Sequence, residues 1–167
     1  MRPAAQASQS LDARRPDPQI APRQPKPLTL LTSTIPDRSA FPSMTRLLLV
    51  DYDAILRSML AFLFTSAGYQ VHQASNGNEA LKIHHRHPVD VMIVELVLPG
   101  KDGFELLTEM RAQSFMPKFI AIAGGGKFPM HGCLRAAKQL GAQQVLTKPF
   151  PPGQLLATVN QLLGKQT

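Results

Sequence analysis

A single cysteine, Cys133, stands in the 167 residues, so no internal disulfide can close. A reducing, cytoplasmic setting is therefore expected. No apolar stretch is long enough to cross a membrane. The apolar cluster from Leu28 to Leu31 is too short and too far from the start to read as a secretory signal. Metal ligands are also scarce. His84, His85 and His87 lie together before Pro88, but no cysteine or second histidine pair supports them, and a solvated helix end is the plainer reading.

The net charge of +7 is spread thinly. Residues 1–43 carry six basic and three acidic residues, and the remainder carries 12 and 8. No block of five basic residues occurs, and no aromatic side chains interleave with basic ones. Nucleic-acid binding is not expected from this pattern.

Proline is abundant in one place only. Residues 1–43 hold 8 of the 15 prolines, among Gln, Ser, Ala and Arg, with no helical or strand period. Such a stretch cannot bury enough apolar surface to offset its ordering entropy, so it is expected to be a disordered Pro/Arg-rich extension. From Met44 to Thr167 short apolar runs alternate with helical patterns. Strands are expected over 46–50, 69–74, 89–95, 118–123 and 144–147. Helices are expected over 54–67, 76–87, 102–111, 129–140 and 152–163. In the first helix Ile55, Leu56, Met59, Leu60 and Leu63 are expected on the buried face, with Gly68 as its cap. This alternation implies an α/β protein with a doubly wound parallel sheet of five strands and five helices.

The run Val89 to Glu95 is the most informative element. It is nearly all apolar, so it reads as a strand buried on both faces, yet it ends in a carboxylate. Chemistry in such sheets sits at the carboxyl ends of the strands. Those ends supply Asp51 and Asp53, then Glu95, Ala123 and Lys148. In the flavodoxin-like strand order 2-1-3-4-5, Asp51 and Glu95 become neighbours, and two carboxylates in one pocket need a proton, a metal or a cation. Lys148 is the available cation.

Three motifs now make a resemblance specific. Leu48-Leu49-Val50-Asp51, Val91 to Phe104 with Leu98-Pro99-Gly100-Lys101-Asp102-Gly103-Phe104, and Leu146-Thr147-Lys148-Pro149-Phe150 occur in the order and spacing of response-regulator receiver domains. Residues 44–167 thus resemble a receiver, the phosphoacceptor domain of bacterial two-component signalling. The resemblance implies that the strand-three carboxylate accepts a phosphoryl group, and that two strand-one acids help to hold Mg²⁺. It further implies a hydroxyl residue ending strand four, an aromatic switch on strand five, and a lysine followed by a cis proline peptide. Partners would be a histidine kinase, a phosphotransfer protein or a target protein. The face made by the fourth helix, fifth strand and fifth helix, here with Arg135, Lys138, Gln139, Gln144 and Gln161, often docks them.

The chain departs from that pattern at most moving parts. Glu95 stands at the phosphoacceptor position, Tyr52 replaces the second acid, Ala123 the hydroxyl residue and Val145 the switch aromatic. The extra methylene displaces the carboxylate by about 1.5 Å, and misplacement near 1 Å can cost about 10²-fold in rate. Asp51 and Glu95 would make at best a weak Mg²⁺ site, so the cofactor expectation is none or weak Mg²⁺. Ordinary phosphorylation is not expected. Two outcomes stay open: Glu95 holds an active-like state through Lys148, or it is merely neutralised and switching is lost.

Two other signals are weaker. Leu47 to Asp53 also fits the opening of a small haloacid-dehalogenase-like phosphatase using Asp51 and Asp53, but Ala123 and Val145 do not supply its further residues, and Asp53 reads more simply as a helix N-cap. Gly124-Gly125-Gly126-Lys127 has Phe128 where a phosphate loop requires Ser or Thr.

Overall fold

A computed structural model describes residues 44–113, 115–124 and 130–165. The expected extension over 1–43 and the glycine run from 125 lie outside the described residues, as do Phe128, Pro129 and the side chain of His131.

Strands β1 (Arg46–Val50), β2 (Gln70–Ala74), β3 (Val91–Glu95), β4 (Lys118–Ala123) and β5 (Gln144–Thr147) alternate with helices α1 (Ala54–Ser66), α2 (Gly77–Arg86), α3 (Gly103–Arg111), α4 (Met130–Gln139) and α5 (Pro152–Leu162). All strand pairs are parallel, in the order 2-1-3-4-5. This is the expected flavodoxin-like, doubly wound architecture.

Side chains of a strand alternate between faces, and the core divides accordingly. Leu48, Val50, Met92, Val94, Phe119 and Ala121 pack with the apolar sides of α2, α3 and α4. Leu47, Leu49, Val91, Ile93, Ile120 and Ile122 pack with Leu60 and Phe64 of α1 and Leu155 and Val159 of α5. Every residue of β3 is buried, which explains its unbroken apolar run.

Local chemistry fixes the helix ends. Asp53 caps α1 by accepting from the amides of Ile55 and Leu56. Asp102 and Glu105 form a reciprocal capping box at α3. Gly68, at φ +84°, ends α1 in the left-handed conformation that glycine adopts without strain.

The structure corrects three expectations. On α1 Leu60 is buried as expected, joined by Phe64, and Leu56 and Leu63 pack beside them, while Ile55 and Met59 face outward, 83 % and 48 % exposed. The helix is apolar on both sides, so periodicity could not say which side meets the sheet. On α3, where the apolar spacing pointed to Phe104, Leu107 and Met110, the buried set is Leu106, Leu107 and Met110, with Phe104 only half-buried. His84 is not solvated: it is buried, and its Nδ1 accepts the Val89 amide at 3.2 Å. Burial, followed by the charge of neighbouring His85, lowers its pKa. His72 stacks on His87 with ring centres 5.5 Å apart.

Candidate functional site

The register of β1 on β3 pairs Val50 with Val94, so the next residues, Asp51 and Glu95, stand side by side at the carboxyl edge. Both are buried, with residue exposures of 4 % and 1 %. Lys148 leaves the end of β5 and reaches across the mouth. Its Nζ donates to Asp51 Oδ2 at 2.6 Å and makes an ion pair with Glu95 Oε2. One ammonium therefore serves two buried carboxylates.

The surroundings explain how this cluster is held. Asp51 Oδ1 accepts the Asp53 amide at 2.9 Å, and Arg57 Nη1 donates to the Asp51 carbonyl. Neither Glu95 oxygen receives a well-formed hydrogen bond, so the contact with Lys148 is a charge contact of poor hydrogen-bond geometry. Burial raises the Glu95 pKa above the usual carboxylate value; Lys148 and the Val97 amide oppose that rise, and Asp51 adds to it. For Lys148 burial acts downward, but the hydrogen bond to Asp51 and the contact and charges of Glu95 and Asp51 outweigh it and raise the pKa. The pair is a buried carboxylate that resists ionisation held beside an ammonium that resists neutralisation.

Two glycines make room for the cluster. A Cβ at Gly124 would run into the aliphatic stem of Lys148, so the glycine after β4 lets the lysine cross. A Cβ at Gly103 would lie 2.6 Å from the Glu95 carbonyl oxygen and 2.8 Å from Leu96 Cα. Gly103 donates its own amide to the Leu96 carbonyl, drawing α3 against the end of β3. The Lys148–Pro149 peptide is cis, as the lysine-proline motif implied.

Other sequence-selected positions lie around the cluster. Ala123 is buried at the end of β4, paired in register with Thr147, and Val145 is half-buried on β5. Tyr52 turns outward, 61 % exposed, with its ring centre 6.0 Å from Lys148 Nζ. Asp53 stands at the rim, where it lines a cavity of about 460 Å³ with Tyr52, Leu56, Lys148 and Phe150. Its carboxylate is engaged by α1 and not by the buried cluster. The roles of Arg57 and Gly124 were not legible beforehand. The Arg57 contact goes to a backbone carbonyl, and Gly124 looked like part of a loose glycine run.

The donor set does not fit a tight Mg²⁺ site. Hard cations take several oxygen ligands. Here Asp51 and Glu95 each spend an oxygen on Lys148, Asp51 Oδ1 takes the Asp53 amide, and the outward Tyr52 brings no carboxylate.

A parallel 2-1-3-4-5 sheet with an acid–lysine cluster at its β1/β3 crevice defines a receiver-type signalling domain. The chain belongs to the response regulator receiver domain family, whose model matches residues 47–160. It is 34 % identical over 119 residues to "Probable transcriptional regulator ycf27" of Cyanidium caldarium, covering 71 % of this chain and 46 % of that one. The counterpart of Guillardia theta is 33 % identical over 120 residues, again covering 46 % of the relative. The chain thus spans about half the length of the curated relatives it matches. Among solved structures, the chemotaxis response regulator CheY4 of Vibrio cholerae is 31 % identical with a TM-score of 0.64, over 72 % of this chain and 99 % of that one. A CheY-like receiver protein of Methanospirillum hungatei shares the fold at 24 % identity, with a TM-score of 0.67 over 73 % of this chain and 95 % of the other. Membership in this family, together with the engagement of Asp53 as a cap, does not favour the phosphatase reading.

Proposed function

We propose that this receiver works in two-component or phosphorelay signalling as a pseudo-receiver, by protein–protein contact and without ordinary phosphorylation at Glu95. The observation that carries the reading is the shared ammonium: Lys148 already binds both Glu95 and Asp51. In a phosphorylated receiver the lysine would meet a phosphoryl oxygen; here a Glu95 oxygen takes that contact. Phosphoryl transfer depends on placement and charge neutralisation around an in-line geometry. An acceptor displaced by one methylene, already paired, and poorly provided with metal ligands supplies neither.

The same contact supports an active-like state, because Glu95 gives Lys148 an oxygen partner without any phosphoryl group. The proposed partners are a histidine kinase, a phosphotransfer protein or a target protein in the cytoplasm, and no enzymatic turnover is assigned. Among the described residues no helix is long and apolar enough to cross a membrane. The test is exposure to an acyl-phosphate donor with Mg²⁺, read by intact mass. The wild-type chain is expected to stay unmodified, and a stable phosphoryl adduct would overturn the reading.

A further inference from the structure

Helix α1 carries an apolar stripe that the fold leaves uncovered. Ile55, Met59 and Phe62 are 83 %, 48 % and 77 % exposed, and Tyr52 extends the line beyond the N-cap at 61 %. The spacing of four and three residues from Ile55 to Met59 to Phe62 places those three within one narrow sector of a helix turning 100° per residue. The opposite side, Leu60 and Phe64, is the side that meets the sheet. Scattered exposed apolar residues are ordinary, but a continuous stripe of large ones marks an interaction surface.

We propose that this stripe is a self-association surface, with α1 of one chain packing antiparallel against α1 of a second copy about a two-fold axis. Three observations favour a second copy as the occupant. First, the stripe is symmetric in sequence: with Met59 near the axis, Ile55 meets Phe62 of the second copy, and Phe62 meets its Ile55. A two-fold interface presents the same patch from both sides and needs this self-complementarity.

Second, the stripe has no charge to repel its own image. Arg57 is the only charged residue of α1, and it is half-buried and bound to the Asp51 carbonyl. The flanking Ser58 hydroxyl donates to the Ala54 carbonyl of its own helix, so pairing need not strand it. Third, the area suffices. Taking ~200 Å² for a large side chain, the four residues offer roughly 500 Å² per copy and about 1,000 Å² for the pair, the lower bound of a specific interface. Such a contact is reversible and concentration-dependent.

Sedimentation velocity of the full chain tests this, over concentrations up to about 100 µM as suits a micromolar contact. Wild type is expected to pass from monomer to dimer as concentration rises. Phe62→Glu or Met59→Glu should hold it monomeric with an unchanged circular-dichroism spectrum, whereas Gln154→Glu on the exposed start of α5 should leave the dimer intact. In a second measurement, Met59→Cys should cross-link to itself under mild oxidation and Gln154→Cys should not. A wild-type chain that stays monomeric throughout overturns the proposal, whether the stripe then serves another protein or residues 1–43. A dimer indifferent to Phe62→Glu and Met59→Glu overturns it equally.

Discussion

Replacing Lys148 by methionine would remove the ammonium shared by Asp51 and Glu95 while keeping most of the side-chain volume. Both acidic side chains are at most 6 % exposed, so neither regains water easily. Removing one partner of a buried ion pair costs about 3–5 kcal/mol. Lys148 is itself 23 % exposed, which places the expected loss near the lower end, about 3 kcal/mol at pH 7.5. The lysine pKa is raised on folding, so its contribution is complete below the ordinary lysine value and is lost as pH rises through the folded value. At pH 7.5 it is fully present in the wild type.

In the variant, Glu95 loses the cation that opposed its burial, so its pKa climbs further and acid relieves the strain by protonating it. The stability difference should therefore shrink as pH falls from 7.5 toward 5. Urea unfolding reads this directly: with a slope near 1.5 kcal/mol/M, a loss of about 3 kcal/mol moves the midpoint by about 2 M at unchanged slope. A shift below about 0.5 M, or one that is constant across pH, would refute the reasoning.

Glu95→Gln isolates the other half of the pair. A carboxylate whose pKa is raised on folding contributes stability below its unfolded value, near 4.3, and loses it as pH rises through the folded value. Urea midpoints of the wild type should carry that fall, and the glutamine variant should lack it; matching pH profiles would contradict the assignment. Asp53→Ala should cost about 1 kcal/mol through loss of the α1 cap, because the Asp53 carboxylate accepts the amides of Ile55 and Leu56. Thermal melts at one pH read the loss, and an unchanged midpoint would contradict the capping role.

The sheet and the cluster were legible because their signals are local. Apolar runs ending in Asp51, Glu95 and Thr147-Lys148 placed the strands, and topology then brought distant residues together. Asp53 and Asp102 were legible as caps for the same reason. What escaped depended on which of two apolar surfaces wins the sheet. In α1, Leu60 is buried as expected, but the buried face turns toward Phe64 and away from Ile55 and Met59, and periodicity cannot fix that rotation on a helix apolar on both sides. His84 escaped because its burial depends on the Val89 amide beyond the helix end, and Gly124 because its purpose is to let the Lys148 stem pass.

The central claim is that Glu95 fills the acceptor position without its chemistry. Intact-mass spectrometry after treatment with an acyl-phosphate donor and Mg²⁺, run on wild type and Glu95→Asp in parallel, tests it most directly. The account predicts no adduct on the wild type, and an adduct, if either protein forms one, only on Glu95→Asp, whose shorter arm restores the acceptor's reach. A phosphoryl group retained by the wild-type chain and lost on Glu95→Ala would contradict it.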